Sequence, residues 1–447
     1  MRILKWKLAI LPIAVVAVII GGCGRAQNGA PDAAASGASA AGATAGREPV
    51  EIEFWYGLGG KLGENMQRMI EKFNASQDEV IVKGIAQGNY DETEQKLQAA
   101  IAAKRVPAAV LASNHEWARK GLFAPLDAFI EADPEFRADD FVPAFLEQGR
   151  VDGKQYFLPM YGTTQVLYYR KDMLEQAGIR PEQLNTWEGL AEAAAKMTVR
   201  EDGEVVVYGW EPMWGSGNMI DSALSRGAKI LSDDGKTVLI DSPEWIDTWE
   251  AFRKWIHEDK IMRIHHGGTG WEYWYKTIDD VMQGRAAGYT GSSGDQGDLD
   301  FGIVAAWPQP AWEGHEARPV ASALLAGIPA GASPEQQEAA YKWLTFFSKT
   351  ENTAHWSINT GYIAVRNSAL DDPAYKAFSE ENPQIKVPLM QAATASSPFI
   401  DPTGGKITDA LTIAADKVQI ENISAAAALK EAKETAQREL ERALGAK

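Results

Sequence analysis

The chain is poor in cysteine, poor in net positive charge and without an apolar run long enough to cross a membrane. Cys23 is the only cysteine in 447 residues, so no disulfide can close within the chain. A formal net charge of −17 leaves no excess of Lys and Arg of the kind that nucleic acid or an anionic lipid surface requires. The apolar stretch from Leu8 to Ile20 falls short of the about 20 residues a spanning helix needs. Also missing are an HExxH pair of zinc ligands, a P-loop lysine and a Gly-x-Ser-x-Gly elbow. His265-His266 has no supporting ligand cluster, and adjacent histidines point in different directions; GYTGSSGDQGD, residues 288–298, carries neither a hydrolase nucleophile nor a phosphate cradle. No metal and no cofactor are expected. Counting acids does not exclude a glycosidase pair, so a surface glycoside hydrolase stays as the alternative from another functional class.

What is present at the start reads as an export signal. Arg2, Lys5 and Lys7 precede the apolar run, and Ile19-Ile20-Gly21-Gly22 leads into Cys23. The β-branched residue three before the cysteine and the two glycines just before it resemble a bacterial lipobox, which makes Cys23 the expected lipidation site and residues 1–23 the signal segment. Residues 24–48 are mostly Ala, Gly and Ser, too little bulky apolar surface to offset ordering entropy, and are expected to form a flexible tether. The expected location is the cell envelope, lipid-anchored and facing the periplasm or the exterior.

About 400 residues follow without another such linker, enough for two cores. Val50, Ile52 and Phe54 alternate with Glu51 and Glu53, the period of a strand. Leu62, Met66, Met69, Ile70 and Phe73 recur at helical spacing; residues 79–85 read as a second strand, 91–105 as a helix and 107–111 as a third strand. A β-α-β-α-β run builds a parallel sheet whose ligand crevice lies at the carboxyl ends of its strands. Those ends carry Trp55-Tyr56-Gly57, Gly88-Asn89-Tyr90 and Ser113-Asn114-His115-Glu116-Trp117, each joining an aromatic to small or hydrogen-bonding residues, the make-up of a concave small-molecule site. The 15 Trp and 13 Tyr suit stacking on sugar rings, although core packing is the expected role of most. The Ala-rich tail, residues 424–440, is a strong helix former.

Several segments in order resemble the extracellular solute-binding proteins of ABC importers, in the branch that includes the glycerol-3-phosphate-binding protein. These are Phe54-Trp55 with Gly60-Lys61-Leu62-Gly63, Gly88-Asn89-Tyr90, PMYGTTQVLYYRKD from Pro159 to Asp172, Ala177-Gly178, Pro181-Glu182, Thr186-Trp187, Gly284-Arg285-Ala286-Ala287 ahead of Ser292-Ser293-Gly294, and Thr360-Gly361-Tyr362. The resemblance implies an α/β, two-lobe periplasmic-binding-protein fold, its lobes joined by hinge strands and closing on a ligand between them. The expected division is 49–160 plus about 308–355 for lobe 1, and about 161–307 plus 356–447 for lobe 2.

On the same resemblance, Tyr90 and Tyr362 match ligand-binding tyrosines, and Thr163 and Ser292 fall on ligand-binding serines. Glu116 lies near a ligand-binding glutamate, with His115 or Asn114 able to take its place. Trp210 and Trp214, in GWEPMWGSG, resemble a pair of pocket tryptophans; Ser322 aligns loosely with a glycine that contacts ligand through its backbone. Tyr56, at the end of the first strand, completes the candidate set.

One departure bears on the ligand. Near Phe399 that branch carries an arginine whose guanidinium can fork onto a phosphate. This chain reads FIDPTGGKIT there, with only Lys406 as a stand-in. The expectation is therefore a monomeric, non-enzymatic receptor for a neutral sugar or polyol, in which Trp271, Tyr273, Trp274, Trp307 and Trp312 are further stacking surfaces, delivering its ligand to the transmembrane subunits of an ABC permease. Glycerol-3-phosphate or a related ester in the same role is the alternative within this reading.

Overall fold

The computed structural model describes residues 48–392 and 394–445; the leader, Cys23 and the tether up to residue 47 lie outside the described residues. Strand β1 is Val50–Tyr56, and its alternation buries Ile52, Phe54 and Tyr56 while Glu51 and Glu53 stay in water. Helix α1, Gly60–Ser76, turns Met66, Met69, Ile70 and Phe73 onto the sheet. Strand β2, Val80–Ala86, pairs parallel with β1; helix α2 is Tyr90–Ala102, and strand β3, Ala109–Val110, pairs parallel on the other side of β1. The spacing-based assignments agree with these elements to within a few residues.

One strand then does what periodicity does not announce. Phe157–Arg170 is long and almost entirely buried. Its first half pairs antiparallel with Ala321–Gly327, which also joins β3; its second half pairs with Gly288–Ser292 and Val304–Trp307. A single strand therefore belongs to the sheets of both lobes, and the chain crosses from one lobe to the other along it. The crossing is tied by side-chain amides. Gln391 donates from Nε2 to Thr164 Oγ1 at 2.7 Å and accepts at Oε1 from the backbone N–H of Gln309 at 2.7 Å, and Thr164 donates to the Val320 carbonyl at 3.0 Å.

Each lobe has its own apolar core. The first gathers Ile52, Phe54, Phe73, Leu158, Tyr161, Trp343, Trp356 and Val365. The second gathers Trp187, Trp210, Trp245, Trp249 and Trp312 with the C-terminal helices Lys406–Gln419 and Ala425–Gly445. Core membership differs from the expected lobe division. Trp312 packs with the second core, whereas Trp356, Tyr362 and Val365 pack with the first, so both later crossings come further along the chain than 308 and 355. The tail helix buries Leu429, Ala432, Ala436 and Leu440 in the second core. Among the described residues, no helix is long and apolar enough to cross a membrane.

Candidate functional site

The two lobes meet across a small cleft. From the first lobe, the loop after β1 brings Leu58 and Gly59, and Asn89 caps α2 by accepting the Glu92 amide at 2.8 Å, which places Tyr90 at the first turn of the helix. Gly57 is required beneath it, because a Cβ there would lie 2.4 Å from the Asn89 carbonyl carbon. Gly361, at φ +85°, ends the helix Thr350–Thr360 in the left-handed region and turns Tyr362 into the cleft. From the second lobe come Ser292, Asp295 and Asp298 of the turn that follows Gly288–Ser292, and Trp271, Trp274 and Tyr275 at the start of the helix Glu272–Met282. The crossing strand supplies the floor. Tyr161, Thr163 and Gln165, two residues apart, share one face, with Thr163 and Gln165 on the cavity and Tyr161 beneath Tyr90.

These residues enclose about 160 Å³, the size class that holds a single six-membered ring. Contacts across the cleft close it. Trp271 donates its indole N–H to the Gly57 carbonyl at 3.0 Å and sets its ring edge-to-face on Tyr90, centroids 5.5 Å apart. Lys61 donates to the Gly297 carbonyl at 2.9 Å and lies 3.8 Å from the Asp298 carboxylate. The hydroxyls of Thr163 and Ser292 are 3.1 Å apart, as are those of Tyr90 and Tyr161. Burial pushes the Tyr90, Tyr161 and Tyr362 phenols well above their usual pKa, so all three hold their protons.

Charge in the cavity has one sign. Asp295 is 3% exposed and accepts from the Trp274 indole at 2.8 Å and the Tyr289 hydroxyl at 3.1 Å. Burial pushes its carboxyl up to about 8, assisted by the neighbouring Asp298, whose own pKa burial also raises. No Lys or Arg is among the lining residues. Lys406 is exposed and paired with Asp409 at 2.9 Å, and so is not positioned as a phosphate clamp in this cavity.

The candidate residues separate accordingly. Tyr90, Thr163, Ser292 and Tyr362 line one cavity. Trp210 does not. It is fully buried, and its indole donates to Thr290 Oγ1 at 2.9 Å inside the second core. Trp214 stands outside the cavity lining, donating to Asp416 at 2.8 Å with its ring against Tyr273, centroids 4.8 Å apart. Tyr56 is buried in the first core, and Ser322 pairs with Thr163 in the strand register without lining the cavity. Glu116 lies on the short helix His115–Arg119, ion-paired to Lys120 at 3.3 Å and facing the Gly404 backbone. Of the extra aromatics, Trp271 and Trp274 line the cavity and Tyr273 packs beside them, whereas Trp307 and Trp312 pack on the second core. Gln165, Tyr275, Asp295 and Asp298 line the cavity without being in the candidate set; for Gln165 the available signal is strand alternation two residues on from Thr163.

Two other features are not this site. A larger open depression of about 920 Å³, lined by Lys171, Phe301, Phe378 and Pro383 among others, shares no residue with the cleft cavity and contains none of the candidates. Glu211, His265 and Asp280 bring ligand-type atoms within 4.8 Å of one another, but the Arg263 guanidinium bridges both carboxylates and Arg285 pairs with Asp280. This is an ionic network with its counter-charges in place.

Residues 68–386 match the family model described as bacterial extracellular solute-binding protein. The chain belongs to this family. Among curated solute-binding proteins, it is 26% identical over 347 residues to the sn-glycerol-3-phosphate-binding periplasmic protein UgpB of Escherichia coli (strain K12), covering 74% of this chain and 78% of that protein. Among solved structures, UgpB from Mycobacterium tuberculosis in complex with glycerophosphocholine superimposes with a TM-score of 0.77 at 22% identity, over 89% of this chain and all of that one. The GacH receptor of Streptomyces glaucescens, solved unliganded and with acarbose, gives a TM-score of 0.76 at 18% identity, over 88% and 99% of the two chains. At these identities the structural likenesses establish the two-lobe solute-binding fold.

Proposed function

We propose that this chain is the lipid-anchored receptor of an ABC importer, and that it captures a small uncharged polyhydroxylated solute, a single-ring sugar or a polyol, for delivery to the permease. The observation that carries the reading is the cavity wall: tyrosine and tryptophan faces, the Thr163–Ser292 hydroxyl pair, two carboxylates and no cationic side chain. Aromatic faces and hydroxyls suit a sugar or polyol. A phosphate dianion would meet Asp298 with no guanidinium to offset it. Anchoring is assigned to Cys23 and ligand contact to Tyr90, Thr163, Ser292 and Tyr362.

Delivery without chemistry fits the carboxylates as well. Asp295 accepts from Trp274 and Tyr289 and Asp298 lies 3.8 Å from Lys61, so each carboxyl already has a partner within the protein. The test is thermal unfolding of the chain from Gly24 onward with neutral monosaccharides, polyols and glycerol phosphates, followed by recovery of the ligand. A ligand at a hundred times its Kd adds about 2.7 kcal/mol of stability. A shift with a neutral ligand recovered intact supports the reading. A shift with glycerol phosphates alone overturns the neutral assignment, and a cleaved sugar overturns the receptor.

A further inference from the structure

Among the described residues that line the cleft cavity, Gln165 is the one with a buried side-chain atom that has no hydrogen-bond partner. Several other polar side chains around the cavity have partners within the protein: Thr163 with Ser292, Tyr90 with Tyr161, Asp295 with Trp274 and Tyr289, and Asp298 as an ion pair with Lys61. Gln165 Oε1 is buried and has no hydrogen-bond partner, and among the described residues its Nε2 donates to none. Its backbone is not at fault. The Gln165 carbonyl accepts from Gln391, and the residue is in register opposite Ser292 in the strand pairing.

A buried unpaired amide oxygen costs stability unless something occupies it. A leucine or methionine would fill the same space without that cost. The side chain lines the cavity two residues along the same strand face from Thr163, next to the hydroxyl pair.

We propose that Gln165 is a specificity-determining residue of this receptor: Oε1 accepts a hydroxyl proton of the bound solute while Nε2 donates to the adjacent oxygen, so that the cleft selects a solute with neighbouring hydroxyl groups. This rests on the neutral-solute reading above and deepens it. An amide presents one donor end and one acceptor end side by side, which complements a pair of vicinal hydroxyls. It offers a carboxylate or phosphate only its donor end.

The experiment compares the unaltered chain, Gln165→Met and Gln165→Glu, with D-glucose, its monodeoxy series, D-mannitol and glycerol as probes. Melting is recorded without ligand and Kd is measured by calorimetry. Gln165→Met keeps the length of the side chain and removes both polar ends. Its ligand-free melting temperature is expected to equal or exceed that of the unaltered chain, while affinity for the hydroxylated probe falls roughly 10- to 100-fold. The deoxy derivative lacking the hydroxyl that Gln165 reads should bind both proteins alike, because the interaction is already gone. Unchanged affinity of Gln165→Met for the probe that binds the unaltered chain overturns the inference and leaves the receptor reading standing. A lower ligand-free melting temperature with unchanged Kd also overturns it, since that is the signature of a packing role. Failure of every neutral probe to bind the unaltered chain overturns the neutral-solute reading itself, and the inference with it.

Discussion

Replacing Asp295 by Asn should remove most of one component of the pH dependence of stability. Asp295 is almost wholly buried between the Trp274 indole, which donates to it at 2.8 Å, and the Tyr289 hydroxyl at 3.1 Å. The titratable groups around it are the Tyr168, Tyr273, Tyr275, Tyr289 and Tyr362 phenols, whose raised pKa values keep them neutral, and Asp298. Burial comes first among the causes that lift its pKa from 3.8 to about 8. The folded protein therefore holds a proton that the unfolded chain releases near pH 4. Stability contributed by that proton is fully present below the unfolded value and is lost as pH rises to about 8. At about 1.4 kcal/mol per pH unit, the whole span amounts to something on the order of 5 kcal/mol. Asparagine keeps an acceptor for Trp274 and has no proton to lose. The stability of Asp295→Asn relative to the unaltered chain should thus climb between about pH 4 and pH 8 and level off above, read by denaturant unfolding of the chain from Gly24 onward at half-unit steps. Parallel stability curves for the two proteins across that range would refute the buried, proton-holding carboxyl.

Other substitutions separate packing from ligand contact. Trp210→Ala should lose about 3–5 kcal/mol of stability through a core cavity while leaving the Kd of any bound sugar unchanged, because its ring lies in the second core rather than on the cleft. Trp271→Phe keeps a ring beside Tyr90 and removes the indole N–H that reaches Gly57. One hydrogen bond of about 1 kcal/mol, made only when the lobes are closed, should shift the ligand-free chain toward open forms and weaken binding about fivefold, visible as a larger radius in X-ray scattering. Asp140→Ala removes the carboxylate that pairs with the buried guanidinium of Arg366 at 3.4 Å, leaving only backbone carbonyls around that charge, and should cost about 3 kcal/mol in unfolding with no change in ligand affinity.

Much of the first lobe could be read directly from residue spacing. The β1-α1-β2-α2-β3 run is local: Ile52 and Phe54 alternate within one strand, and Met66, Met69, Ile70 and Phe73 line one face of one helix, so burial follows the periodicity. The tail helix was legible for the same reason, through propensity within a single segment. The crossing strand was not. Phe157–Arg170 is buried on both faces and changes partners at its middle, and nothing local in PMYGTTQVLYYRKD marks the point where one sheet hands over to the other. Tryptophan was the other failure of local reading. Trp210 and Trp271 have the same side chain in similarly aromatic surroundings, yet one fills a core and the other roofs the cleft.

The sequence by itself determined the class of the protein. Its single cysteine, acidic charge, βα periodicity and ordered motifs are properties of the chain that folding does not alter, and they point to an α/β solute-binding protein. Only the tertiary structure decided the chemistry of the cleft. Tyr90, Gln165, Trp271, Asp295 and Tyr362 come from five separate segments, and their meeting depends on how two cores set two lobes against each other. The sign of the cavity's charge, the burial that keeps Asp295 protonated and the unmet amide of Gln165 are consequences of exclusion from water, which exists only once those segments have closed on one another.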